Sequence, residues 1–105
     1  MIIMKHNLVV QPKKRRELIQ TILDLIILFR KMNGCLSHNC YQSIENENSF
    51  ILISEWNTKE DMDNYIRSEG FDVLQGVKVL LVDPQEIKFD VVSYTSGMEF
   101  LKSET

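Results

Sequence analysis

The chain has 105 residues, of which 44% are hydrophobic and 26% charged, and its formal net charge is −3 at pH 7. This balance is typical of a globular protein, and the length predicts a single domain spanning residues 1–105. A net negative surface disfavours nucleic acid and anionic membranes as partners. The N-terminal residues lack the ordered basic, apolar and small-residue segments of a signal peptide, so we expect a cytoplasmic protein.

The first half of the chain alternates strand and helix patterns. Ile2 to Val10 is rich in Ile, Val and Leu and predicts a strand, which Gln11-Pro12 ends because proline cannot donate to a ladder. Apolar residues at helical spacing then predict a helix from Lys13 to Met32, followed by the C-cap pair Asn33-Gly34. Leu36 to Ser43 predicts a second strand.

The second half starts with the clearest strand, Ser49 to Trp56, which is rich in β-branched and aromatic residues. Asn57 or Thr58 is suited to cap a helix that reaches about Ser68. A second helical piece is predicted after Gly70.

The C-terminal part contains the break Asp83-Pro84, a predicted fourth strand from Glu86 to Tyr94 and a predicted short turn or helix over Gly97 to Lys102. The resulting order, β-α-β-β-α-β, is that of the split βαβ or ferredoxin-like plan. Right-handed crossovers place both helices on one face of a four-stranded antiparallel sheet. We therefore predict an α+β fold.

Three apolar runs, Ile2–Met4, Leu8–Val10 and Ile51–Ile53, lack the alternation expected of strands with one solvated face. Helices cover only one face of the predicted sheet, so the other would expose an apolar patch that monomers seldom carry. We predict a homodimer that packs sheet face against sheet face. The alternative is that these runs are buried strand ends in a monomer.

Four segments, taken in order, resemble the antibiotic biosynthesis monooxygenase (ABM) family. Asn33–Leu36 resembles the turn that opens its second strand, and Phe50–Trp56 resembles its third strand. Asn57–Glu60 resembles the start of its next helix, and Ser68–Phe71 resembles the element after that helix. The resemblance implies a dimeric α+β barrel and a cofactor-independent monooxygenase acting on a small quinol or hydroxylated aromatic. In such an enzyme the substrate anion reduces oxygen, while the protein supplies a dry pocket and a proton acceptor.

The chain departs from two patterns of this family. Many quinol-oxidising members carry a histidine near the end of the helix after the tryptophan, where this chain has Tyr65, and a phenol with a pKa of about 10 is a poor base. The haem-degrading branch uses an asparagine, a tryptophan and a histidine, and here Asn7, Tyr65 and Gln75 take those positions. Glutamine is not a useful axial haem ligand, so we predict no haem and no other cofactor.

The candidate catalytic residues are Asn7 and Tyr65, which would orient and polarise the substrate. Alternatively, the Asn7 amide bonds local backbone or lies at an exposed edge, and Tyr65 only covers its helix. Trp56, Phe71 and His38 are candidate substrate-binding residues, and the alternative for each is a purely structural role.

Two further groups of side chains carry weaker signals. His38 and Cys40 share a strand face, but one imidazole and one thiol do not make a metal site. If Cys35 and Cys40 lie on one strand, they are predicted to point to opposite faces, which disfavours a disulfide. We expect them to be small hydrophobes, with redox work as the alternative. The basic run Lys13–Arg16 is either a solvated helix start or a contact for an anionic ligand.

A second hypothesis follows from the histidine that is missing from the helix after Trp56. The chain could be a non-catalytic module that binds a small ligand, or interacts with another protein, on the same dimeric barrel. Fold alone does not decide between an enzyme and a binding module.

Overall fold

The computed structural model describes residues 1–93. Four strands form one antiparallel sheet in the order β2-β3-β1-β4: β1 Ile2–Val9, β2 Cys35–Gln42, β3 Ser49–Trp56 and β4 Glu86–Val91. Three helices connect them: α1 Arg15–Phe29, α2 Lys59–Ile66 and α3 Glu69–Gly76. The predicted ferredoxin-like α+β fold is confirmed.

The main differences from the predicted elements lie at their ends. Pro12–Lys14 forms a 3-10 turn before α1, and the helix ends at Phe29 rather than Met32. A second 3-10 turn, Val77–Leu80, follows α3. The fourth strand ends at Val91, and the predicted terminal element over residues 97–102 lies outside the described residues.

The core lies between the sheet and the helices. Alternate residues of β1 and β3 point into it, because side chains of a strand alternate between faces. Opposite them, α1 contributes a buried stripe at helical spacing: Leu18, Ile22, Leu25, Ile26 and Phe29. At about 1.5–3 kcal/mol for each fully buried large apolar side chain, this layer is the main source of folding free energy.

A β-bulge interrupts β2 near its start. Cys35 pairs with Trp56 and Ser37 pairs with Glu55, which leaves Leu36 as an extra, exposed residue. The prediction that Cys35 and Cys40 point to opposite faces is therefore wrong, because the extra residue shifts the alternation and both thiols pack against the core. Both cysteines are free, and five residues of extended chain, about 16 Å, keep them too far apart for a disulfide.

Gly34 links α1 to β2 and has φ +76°, the left-handed region. A Cβ atom at this position would also overlap the Asp61 side chain. We expect Gly34→Ala to lower the free energy of unfolding by about 2 kcal/mol, since the conformation alone costs roughly 1–2 kcal/mol. Urea unfolding would measure the loss. Gly76→Ala is the matched control, because a Cβ atom there meets nothing within 4 Å, and an equal loss in both variants would contradict this explanation.

The second face of the sheet is not covered by helices. Ile3, Val9, Ile51 and Ile53 are half-buried on this uncovered face, and exposed polar residues such as Lys5 flank them. The apolar runs noted in the sequence thus divide between the two faces. No helix in the described part of the chain is long and apolar enough to cross a membrane.

Candidate functional site

Five ring-bearing side chains from five different elements meet under the helices. Phe29 comes from α1, His38 from β2, Trp56 from β3, Tyr65 from α2 and Phe71 from α3. We call these five residues the aromatic cluster. His38 is 1% exposed, Tyr65 2% and Trp56 0%, so the cluster is removed from water.

Two capped helix starts position the α2 and α3 members of the cluster. Thr58 Oγ1 accepts a hydrogen bond from the Asp61 amide at 3.1 Å, and α2 then carries Tyr65 to its inner face. Ser68 Oγ accepts from the Phe71 amide at 3.2 Å and starts α3 with that phenylalanine in its first turn. Ser and Thr are preferred caps, so the sequence itself fixes where these two rings enter the core.

The polar centre of the cluster is a hydrogen bond between His38 Nε2 and the Tyr65 hydroxyl at 3.0 Å. The Phe29 ring stacks on the imidazole with a centroid distance of 4.9 Å. The Trp56 ring stacks on the phenol ring at 4.4 Å, and Phe71 meets it edge-on at 5.0 Å. The pair therefore sits in an almost wholly aromatic surrounding.

Burial determines the charge state of the pair. It lowers the pKa of His38 to about 4, and the positive charges of Arg30 and of His6, when protonated, act in the same direction. It also raises the pKa of the Tyr65 phenol above its usual value. Both side chains are therefore neutral near pH 7.

The tautomer of His38 follows from counting hydrogen-bond partners within residues 1–93. His38 Nδ1 is buried without a partner. If Nδ1 carries the proton, the Tyr65 hydroxyl donates to Nε2 and only one group is left unsatisfied. The other tautomer leaves both the hydroxyl hydrogen and the Nδ1 lone pair unpaired, which costs more. Nε2 is thus the acceptor and the available base.

A second buried histidine lies on β1. His6 is 3% exposed, and its Nε2 hydrogen-bonds the Gln85 side chain. The Gln85 amide in turn donates to the Gln75 carbonyl at 3.3 Å, which ties the segment before β4 to the end of α3. Burial lowers the pKa of His6, and the bond to Gln85 opposes that effect.

Asn7 lies on the other side of the sheet from the aromatic cluster. Its side chain is exposed on the uncovered face, whereas its neighbour His6 points inward. The structure therefore does not bring Asn7 and Tyr65 into one site, because adjacent strand residues point to opposite faces. The other four candidates, His38, Trp56, Tyr65 and Phe71, do come together.

A cleft opens between α1 and the edge strand β2, and no member of the aromatic cluster lines it. Its volume is about 180 Å³, and its lining is mostly apolar: Ile19, Ile22, Leu23, Cys40, Gln42 and Phe50. Cys40 is the next inward residue after His38 on β2, and burial raises the pKa of its thiol to about 11. A separate cleft of about 210 Å³ on the opposite side includes Asn7 and Tyr41.

In the described structure the metal-ligand types do not gather, whereas residues of the basic run line a cleft of about 420 Å³ at the start of α1. Among residues 1–93, no group of three or more His, Cys, Asp or Glu side chains is placed to hold a metal ion. Arg15, at the start of α1, pairs with Glu47 and with the Asn48 side chain, each at 2.9 Å. Lys14 pairs with Glu17 at 3.5 Å. Part of the basic run therefore fastens α1 to the β2–β3 loop.

Sequence reasoning missed three participants around this site. In the sequence, nothing distinguishes Phe29 from the other apolar residues on the buried face of α1. Ser54 was not singled out, although its Oγ accepts the Trp56 Nε1–H at 3.0 Å. Gln85 gave no signal, since its bond to His6 joins residues far apart in sequence.

Both the sequence and the fold of this chain match known proteins. The profile of the antibiotic biosynthesis monooxygenase family matches residues 1–76. The chain belongs to the ABM family. A conserved protein from Methanosarcina mazei is 27% identical, with a TM-score of 0.81 over 85% of this chain and 89% of that one.

Two further relatives have the same or a lower sequence identity. An uncharacterized protein of Synechocystis, sll1783, is 27% identical over 92% of this chain and 67% of its own length. Rv0793 from Mycobacterium tuberculosis shares 18% identity and has a TM-score of 0.84, covering 91% of this chain and 98% of that one. At that identity the match to Rv0793 concerns the fold. The relationship to monooxygenases is therefore established at the level of the ABM family.

Proposed function

We propose that this ABM-family protein is a cofactor-independent monooxygenase acting on a small quinol or hydroxylated aromatic. The observation that carries the proposal is the buried His38–Tyr65 hydrogen bond of 3.0 Å within the aromatic cluster. The sequence lacks a histidine on the helix after Trp56, but β2 supplies one to the tyrosine at that position. A proton acceptor and an aromatic surrounding thus occur together.

In the proposed reaction the rings of the aromatic cluster shift to admit the substrate, and the substrate hydroxyl then hydrogen-bonds the Tyr65 oxygen. Tyr65 passes its own proton to His38 Nε2 and takes the substrate proton, so that the substrate becomes an electron-rich anion. The imidazolium of His38 and the substrate anion, separated by the neutral Tyr65 hydroxyl, attract each other, which raises the pKa of His38 during the transfer. A ring carbon ortho or para to the ionised hydroxyl then reacts with O₂, and the substrate gives up four electrons in all. One oxygen atom becomes a ring carbonyl, and the other leaves as water with the hydrogen of that carbon and the hydroxyl proton, so that a quinone forms.

The size of the cleft beside Cys40 supports a small substrate. Its volume of about 180 Å³ is below the roughly 300–1,000 Å³ of most ligand pockets but close to the roughly 150 Å³ that accepts a benzene ring. Ile22 and Phe50 would form the walls against which such a ring packs, whereas Trp56 and Phe71 contact Tyr65 and do not line this cleft. Asn7 is left out of the proposed site because it lies on the uncovered face.

Oxygen uptake with a panel of single-ring quinols and catechols tests the proposal. We expect uptake above the autoxidation blank, reduced about 100-fold in Tyr65→Phe and in His38→Gln, because proton transfer contributes at least that much. Tyr41→Phe is the matched control, since this tyrosine is exposed and far from His38 on β2's other face. Equal uptake in all of these variants would refute the assigned roles.

The tight packing of the aromatic cluster favours a second candidate function, a non-catalytic module that binds a small aromatic ligand. With His38 and Tyr65 at most 2% exposed, a ligand would be held in the cleft without reaching the pair. This version predicts a rise in melting temperature with ligand concentration but no oxygen uptake. Thermal shift on the same panel separates the two, and a panel without any shift would exclude the module.

We also propose that the chain is a cytoplasmic homodimer joined through the uncovered sheet face. The half-buried side chains Ile3, Val9, Ile51 and Ile53 support this contact, because each would become fully buried against a second copy. Two free cysteines fit a reducing compartment.

Light scattering tests the dimer. We expect twice the chain mass of 12.3 kDa for the wild type and the monomer mass for Ile51→Lys, since a charge buried in an apolar interface is costly. Ile44→Lys is the control, because Ile44 is fully exposed in the β2–β3 loop. A wild-type mass of one chain at micromolar concentration would reject the dimer.

A further inference from the structure

The stacking of Trp56 and Tyr65 has chemical significance beyond packing. The two rings lie 25° from parallel with centroids 4.4 Å apart, close enough for rapid electron transfer between them. These two side-chain types are the most easily oxidised aromatic residues, and both are at most 2% exposed. What limits oxidation of a buried tyrosine is its proton, because a phenol that loses an electron becomes a very strong acid.

The structure provides an acceptor for that proton. His38 Nε2 lies 3.0 Å from the Tyr65 hydroxyl. In the tautomer with the proton on Nδ1, the Nε2 lone pair accepts the hydrogen bond from that hydroxyl. Trp56 differs in this respect, because its Nε1–H donates to the Ser54 hydroxyl at 3.0 Å, and a hydroxyl is a very weak base. Whichever of the two rings is oxidised first, the radical will therefore end on Tyr65.

We propose that Tyr65, with His38 as proton acceptor and Trp56 as stacked relay, forms a one-electron redox site. The oxidant is a radical such as an organic peroxyl. One electron leaves Tyr65, directly or through Trp56, and converts the peroxyl radical to a hydroperoxide anion. The phenol proton moves to His38 Nε2, which leaves a neutral tyrosyl radical beside an imidazolium. This role is independent of the proposed oxygenase activity, since it needs no substrate in the cleft.

Flash photo-oxidation of the purified protein tests the site. A ruthenium(II) polypyridyl complex with a cobalt(III) ammine quencher generates the oxidant, and transient absorption with freeze-trapped electron paramagnetic resonance detects the radical. We expect a tyrosyl radical that is lost in Tyr65→Phe and kept in Tyr41→Phe. Its formation should show a solvent deuterium isotope effect, because the proton moves together with the electron.

His38→Gln separates the proton acceptor from mere packing. Glutamine can keep a hydrogen bond to the hydroxyl but is not a useful base, so radical formation should slow about tenfold or more. His38→Phe is the second variant, and circular dichroism confirms that each is folded. An undiminished radical in Tyr65→Phe, or an unchanged rate and isotope effect in both His38 variants, would overturn the proposal.

Discussion

Replacing Trp56 by alanine is expected to remove about 3–5 kcal/mol from the free energy of unfolding, the usual loss for a fully buried large aromatic side chain. The indole is 0% exposed and stacks on Tyr65, and its removal also leaves the Ser54 hydroxyl without a partner in the core. A loss of this size corresponds to a fall in melting temperature of about 15 °C or more. Because Trp56 is the single tryptophan of the chain, circular dichroism rather than fluorescence has to follow the unfolding.

Trp56→Phe is the matched control, since it keeps a ring against Tyr65 and removes less volume. We expect it to lose less than half as much stability as the alanine variant, at the same protein concentration. A loss below about 1 kcal/mol in Trp56→Ala would mean that the indole borders open space, because a cavity costs in proportion to the contacts removed.

Acidification is expected to destabilise the protein through His38. The pKa of this histidine falls from 6.5 in the unfolded chain to about 4 in the folded one, so only the unfolded chain binds the proton between those values. The contribution of neutral His38 to the free energy of unfolding is therefore fully present above pH 6.5 and is lost as the pH drops towards 4. Between about pH 7.5 and 4.5 the loss attributable to His38 is about 2–3 kcal/mol.

Urea unfolding at these two pH values measures the effect. His38→Gln removes the titrating group, so its loss over the same range should be smaller than the wild-type loss by about 2–3 kcal/mol. His6 contributes in the same direction and stays in both proteins, as do the carboxylates, so the difference isolates His38. Parallel pH profiles for the two proteins would show that His38 is not buried in its neutral form.

The fold could be predicted because local and long-range signals agree. The β-branched run in β3 and the apolar stripe of α1 each require one kind of element, and the cap residues Thr58 and Ser68 place the two later helices. The order of these elements then leaves few arrangements of the sheet. The order β2-β3-β1-β4 follows from these rules.

The site was only half predictable, since it depends on which way strand residues face. His38, Trp56, Tyr65 and Phe71 were selected, but their contacts join four elements and no spacing in the sequence encodes them. The sequence favours Asn7 as a site residue, whereas the structure places its neighbour His6 on the inner face. A shift of one residue along a strand exchanges the two faces. The Cys35 error has the same origin, because a bulge leaves no clear mark in the sequence.

The bulge at Leu36 shifts the inward and outward alternation of side chains along β2 by one residue. Residues before it and residues after it face the core with opposite parity, so Cys35 and His38 are both inward although they are an odd number of positions apart. Deleting Leu36 would remove the bulge and restore regular alternation, with Cys35 and His38 two positions apart and both facing inward. The contact between His38 and Tyr65 should therefore survive the loss of Leu36, whereas the loss of Ser37 as well would make Cys35 and His38 neighbours and turn one of them away from the core. A chain one residue shorter at this point would consequently have lost the bulge and kept the inward histidine.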